Sequence, residues 1–101
     1  MNRQVLTNDS GKWFDRDKAL RWDESTRWDG SNHISCATGS QWDHEELYRT
    51  ASGRWILHTW SQWQGSSSSW EEIGHQAAVL WLSQHGHEDA LTPDENAELE
   101  I

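Results

Sequence analysis

Branched hydrocarbon is scarce in this chain. Its 101 residues include two valines, four isoleucines and eight leucines, with one phenylalanine, one tyrosine, one proline and one cysteine. Apolar residues make up 34%, or about 41% with the seven glycines added, against roughly 45–50% in an ordinary globular domain on that count. No stretch approaches the ~18 apolar residues of a membrane span, and the opening MNRQVLTNDS lacks the apolar run of a signal peptide. The lone thiol, Cys36, excludes an internal disulfide and gives no sign of an oxidising compartment. These absences predict a soluble cytoplasmic protein. The length allows one domain with one modest core.

Tryptophan stands in excess, at Trp13, Trp22, Trp28, Trp42, Trp55, Trp60, Trp63, Trp70 and Trp81. An indole buries roughly 150–250 Å² and so replaces more than one missing aliphatic side chain, which puts about two thirds of the nine inside. The remainder become contact surface, because tryptophan and arginine dominate interface hot spots.

Basic charge is sparse too. Eight Lys and Arg face 17 Asp and Glu, a formal charge of −9. Six of the acids lie in residues 88–101, EDALTPDENAELEI, which has no base and holds the only proline. So polar a segment cannot offset its ordering entropy by burial, and it reads as a disordered acidic tail behind a domain over residues 1–87. Duplex DNA is excluded as a partner for want of a basic face. The charge keeps a tryptophan-rich surface soluble.

An internal echo organises the domain: Asp9-Ser10-Gly11-Lys12-Trp13-Phe14 parallels Ala51-Ser52-Gly53-Arg54-Trp55-Ile56. In both, Ser-Gly supplies a turn and a cation with two bulky residues begins a strand, which predicts two hairpins. The first pairs Arg3 to Thr7 with Lys12 to Phe14, and residues 15–22 continue it as strand or form a helical turn. The second pairs Glu46 to Thr50 with Arg54 to Trp60. In that last arm Trp55, Leu57 and Thr59 share one face and Ile56, His58 and Trp60 the other, so it is a central strand covered on both sides. Asp23 to Asp43 is polar and turn-rich, and reads as a long irregular segment with one short strand at His33 to Cys36.

A helix over about residues 70–85 follows the serine-rich connector. Ser69 and Glu72 have the spacing of a capping box, while Ile73, Ala77, Leu80 and Trp81 recur as one apolar face, and Gly86 stops it after His85. The fold class expected is α+β, a small antiparallel sheet of three to five strands with one C-terminal amphipathic helix packed on it.

No constellation fixes a reaction. His33, Cys36 and His44, or His85, His87 and Glu88, offer ligand atoms without the paired spacings of a zinc site, so no metal or cofactor is expected. Cys36, His33, His44 and Asp43 contain the types used in nucleophilic catalysis, but no nucleophile elbow, phosphate loop or dinucleotide fingerprint accompanies them. The chain is read as not an enzyme. Arg21-Trp22 and Arg27-Trp28 repeat a cation beside an indole in a polar segment. Trp60-Ser61-Gln62-Trp63 and Trp42 form a second aromatic group among side chains able to hydrogen-bond a sugar or a base.

The run ELYRTASGRWIL from Glu46 to Leu57, then a polar loop and Ala77-Ala78-Val79-Leu80-Trp81-Leu82, resembles small uncharacterised bacterial proteins. In those, a Leu-Tyr-x-Thr, turn, Gly-x-Trp hairpin leads into an Ala-x-x-Trp-Leu helix. The resemblance spans about residues 45–85 and implies a hairpin-then-helix architecture and a bacterial or mobile-element origin, without an activity.

The expected function is a non-enzymatic interaction or regulatory protein that binds a protein partner, or itself as a homodimer, through Arg21, Trp22, Arg27, Trp28, Trp42, Trp60 and Trp63. A second expectation is a small-ligand or single-stranded nucleic-acid module on Trp42, Trp60 and Trp63. A third is an acidic mimic of nucleic acid that blocks a basic protein.

Overall fold

The computed structural model describes residues 1–28, 30–36, 38, 42–62 and 68–101, and the fold is α+β. Gly11 and Gly53 have φ of +75° and +88°, a region closed to side chains with a Cβ, and each follows its serine into a turn between antiparallel strands. The first turn joins β1 (Arg3–Val5) to β2 (Trp13–Asp15), with Val5 opposite Trp13. The second joins β6 (Asp43–Arg49) to β7 (Trp55–Ser61), with Arg49 opposite Trp55. Both expected hairpins are present. Between them lie a 3-10 turn at Arg16–Lys18, β3 (Leu20–Asp23), β4 (Thr26–Trp28) and β5 (His33–Ser35). Residues 15–22 thus contain a helical turn followed by a strand.

The main sheet has four antiparallel strands in the order β3-β6-β7-β8, where β8 is Ser69–Ile73. Alternation along β7 divides the core in two. On one face Leu47 and Trp55 pack with Ala78, Trp81 and Leu82 of helix α1 (His75–Gln84), and Trp22, Leu57 and Ile73 join from the side. On the other, Tyr48, Ile56 and Trp70 pack with Leu6 and Phe14 of the β1–β2 hairpin. The strand expected to be covered twice is covered by a helix and a hairpin.

Several expectations are corrected. Ser69 does not cap a helix: Ser69–Ile73 is strand, paired with β7 so that His58 lies opposite Trp70, and Glu72 is turned to Arg54. Helix α1 begins only at His75, with Gly74 at its N-cap. Its buried face is Ala78, Val79, Trp81 and Leu82, whereas Ala77 and Leu80 are exposed. The pattern that starts from Ile73 assigned that residue to the helix, and so rotated the apolar stripe. Between Asp23 and Asp43 the described residues include, besides the expected strand at His33, a second one, since β4 pairs with β5 in the register Thr26 to Ser35 and Trp28 to His33.

The C-terminal helix is not single either. Residues 88–101, expected as a disordered tail, carry a 3-10 turn at Glu88–Ala90 and helix α2 (Pro93–Leu99). The true capping box is Thr92 with Glu95, and Pro93 at the first helical position adds its preset φ. Ala90 and Leu91 pack against the α1 core, and the His75 imidazole is hydrogen-bonded to Glu95. No helix among the described residues is long and apolar enough to cross a membrane.

Trp55, Trp70 and Trp81 are buried and Trp22 and Trp60 half-buried, while Trp13, Trp28 and Trp42 are exposed. Truncating a buried ring leaves a cavity as well as losing transfer free energy. Trp70→Ala and Trp81→Ala should each lower the unfolding free energy by about 3–5 kcal/mol in urea titrations. Trp28→Ala should change it by less than about 1 kcal/mol. Equal losses at all three positions would mean that the two-sided core is wrong.

Candidate functional site

After Asp23 the edge strand turns away from β6, and a side chain takes over the backbone's role. The Glu24 carboxylate accepts the Glu45 N–H at 2.8 Å, the Ser35 hydroxyl at 2.5 Å and the His44 Nδ1–H at 2.6 Å. Ser35 is fully enclosed, and the Glu24 and His44 side chains are largely so. Beside this group the Ser25 N–H and hydroxyl both donate to His85 Nδ1, each at 2.9 Å. A backbone N–H can only meet a lone pair, so the proton of this imidazole sits on Nε2. The Ser25 carbonyl takes the Cys36 N–H at 2.9 Å. The Trp81 ring closes over His85 at 4.2 Å and sends its own N–H to Glu45 at 3.1 Å.

These contacts clamp both feet of the β4–β5 hairpin. Glu24 and Ser25 precede β4, and Ser35 ends β5 with Cys36 just after it. Ile34 and Ser35 are buried, whereas all three residues of β4 are exposed. Trp28 is the most exposed described indole at 61%, and the edge of the His33 ring lies against it at 5.0 Å. Arg27 is exposed and makes no ion pair among the described residues. Adjacent strand residues point to opposite sides, so the hairpin presents an indole on one side and a guanidinium on the other.

The other predicted contact residues are used differently. Arg21 lies between Asp23 at 3.6 Å and Glu46 at 3.7 Å, and these carboxylates, Asp23 foremost, hold it more firmly in its charged form. Trp22 packs on Trp55 at 5.7 Å. Trp60 sits in a column of rings, 5.6 Å from His44 and 4.7 Å from His58, and His58 in turn stacks on Trp70 at 3.6 Å. Trp42 is 40% exposed beside the end of β7, where its carbonyl accepts the Gln62 N–H. Trp63 lies outside the described residues. Of the six that are described, only Arg27 and Trp28 form an exposed pair on one element.

The residues missed are the carboxylate–imidazole pairs. Besides Glu24 with His44, Glu46 accepts from His58 Nδ1 at 2.7 Å and from the Tyr48 hydroxyl at 3.0 Å. Alternation through His44, Glu46 and Tyr48 was the signal that could have found them. Neither pair activates a nucleophile. Ser35 gives its proton to the carboxylate and not to the imidazole, the reverse of the order that general-base attack needs. Cys36 is exposed.

No protein-family model, curated protein or solved structure matches this chain. Its function must be argued from this geometry.

Burial pushes the His85 pKa below its ordinary 6.5, against the weaker upward pull of Glu45 and Glu24. The unfolded chain therefore takes up this proton first as pH falls. The contribution is whole above the ordinary value and is lost below it, as pH descends through the folded-state pKa. His85→Gln retains an oxygen acceptor for Ser25 without titrating. Between about pH 7 and pH 5 its denaturation midpoint should fall less than that of the parent protein, and parallel curves would show that His85 is not the group involved.

Proposed function

We propose that this chain is a non-enzymatic protein-binding module whose contact element is the β4–β5 hairpin, with Trp28 and Arg27 as its anchors. The 61% exposure of Trp28 on β4 carries the reading. A chain so short of apolar side chains gains by enclosing an indole, and here it leaves one in water at a clamped position. Tryptophan and arginine are the commonest hot-spot residues, and an anchor fixed before binding loses less conformational entropy when the partner arrives. The buried Glu24 and His85 contacts supply that fixation. A second copy of the chain is the first partner to consider, because two hairpins related by a twofold axis cover each other's indoles. The lone cysteine, Cys36, suits a reducing compartment, and the cytoplasm is the proposed location.

An aromatic platform for single-stranded nucleic acid is less favoured. Trp60 is held between imidazoles, and the carboxylates of Glu24 and Glu46 on the same side repel phosphate.

Sedimentation equilibrium on the parent protein and on an Arg27→Ala, Trp28→Ala double variant tests the proposal. Loss of two anchors should weaken association at least about thirtyfold. The melting temperature measured at concentrations where both are monomeric should stay unchanged. If the parent is monomeric, the comparison moves to proteins retained on immobilised parent and variant. Retention of the same partners with the same affinity by both would overturn the assignment.

A further inference from the structure

The two halves of the internal echo meet in space. Lys12, Trp13 and Phe14 of the first and Arg54 and Ile56 of the second line a cleft of about 240 Å³ between the β1–β2 hairpin and the turn from β6 to β7. We propose that this cleft binds a small aromatic carboxylate. It shares no residue with the Trp28 hairpin, and so stands apart from the function proposed above.

Shape and polarity define the ligand. Leu6, Phe14 and Ile56 are buried and make an apolar floor. Trp13 forms a wall and is 47% exposed, with the Arg3 guanidinium over its ring at 4.9 Å. Drug-sized ligands fill roughly 300–1,000 Å³, so this space suits one or two fused rings. An aromatic ring lying along Trp13 would cover the indole edge that the fold leaves open.

Charge selects the substituent. Arg54 and Glu72 satisfy each other through two hydrogen bonds of 2.6 Å. Asp15 is engaged by the backbone N–H groups of Asn2 and Asp17, both at 3.0 Å. The Thr50 and Ser52 hydroxyls lie 3.0 Å apart and bond each other. Lys12 makes no ion pair within 4 Å among the described residues and acts on Glu72 only at longer range, so its ammonium is the cation lining the cleft that is available to a ligand, opposite the ionised Asp15. The wider field agrees. Five of the eight basic residues fall within the first 21 positions, against three acids, so this segment has a net positive charge in a chain whose formal charge is −9.

Three probes that share one ring separate the alternatives: indole-3-acetate, its neutral alcohol analogue and tryptamine. They are titrated into the full ¹⁵N-labelled chain while amide shifts are followed. Indole-3-acetate should shift the amides of Lys12 to Asp15 and Ala51 to Arg54 saturably, and bind about fivefold more tightly than the alcohol, with tryptamine weakest. Lys12→Met should remove the preference for the carboxylate and leave the affinity for the alcohol unchanged. Trp13→Ala should weaken all three, and the unchanged spectrum of its core residues would show that it folds. The proposal is overturned by an absence of saturable shifts at these amides up to about 10 mM probe. A preference for tryptamine, or a carboxylate preference that survives Lys12→Met, overturns it equally.

Discussion

An indole cannot be buried like a large leucine, because its ring N–H must find an acceptor once water is excluded. That requirement runs through the structure. With so few aliphatic residues, the face of the sheet under α1 is filled by Trp55 and Trp81, and each has an acceptor at the rim of the core. Trp55 donates to His75 Nδ1 and Trp81 to Glu45 Oε1, both at 3.1 Å. These acceptors are themselves polar groups near the interior, and they must be held as well.

The holding groups decide where the peripheral elements sit. His75 uses its second ring nitrogen on Glu95, which ties α2 to the start of α1. Glu45 passes its backbone N–H to Glu24, whose remaining capacity orders His44 and Ser35 and so fixes the feet of the β4–β5 hairpin. His85, under the Trp81 ring, takes Ser25 from the same hairpin. His87 reaches the Asp23 carbonyl at 2.7 Å, which secures the chain just before the Glu88–Ala90 turn. The acidic C-terminal segment and the polar middle of the chain look dispensable by composition. Both are drawn in because buried indoles need partners and those partners need partners of their own.

This explains which parts of the fold were legible in the sequence. The hairpins were, because Ser10-Gly11 and Ser52-Gly53 specify their turns locally, and period-two alternation then assigns Ile56, His58 and Trp60 to one face. Helix α1 was legible as an element but not in its bounds. Trp70 and Ile73 are apolar at a spacing that suits a strand or a helix, and pairing with β7 decides between them. Strand β4 was hidden because Thr26, Arg27 and Trp28 are all exposed and leave no alternation to read. The candidate site was half legible. Arg27 and Trp28 stood out by type, but the groups that fix them, Glu24, Ser25, Ser35, His44 and His85, are joined across separations of up to 60 residues that no local pattern records.

The same logic separates the indoles that serve the fold from those that do not. A tryptophan inside this protein is recognisable by what its N–H or ring engages: His75 for Trp55, Glu45 for Trp81, and the His58 imidazole stacked on Trp70. Trp28 and Trp13 lack such enclosure. One leans on the edge of His33 and the other lies under Arg3, and both contacts leave much of the ring in water. These two rings have unlike surroundings. Around Trp28 the hairpin is open and its feet are clamped, a shape that can enter a partner's surface. Around Trp13 the chain curves inward over Phe14 and Ile56, a shape that can receive a ligand. Charge differs as well, since five of the eight basic residues fall within the first 21 positions, with Trp13, while acids dominate the rest of the chain. Exposure alone therefore does not define a site in so indole-rich a protein; the curvature and the available charge around each ring do.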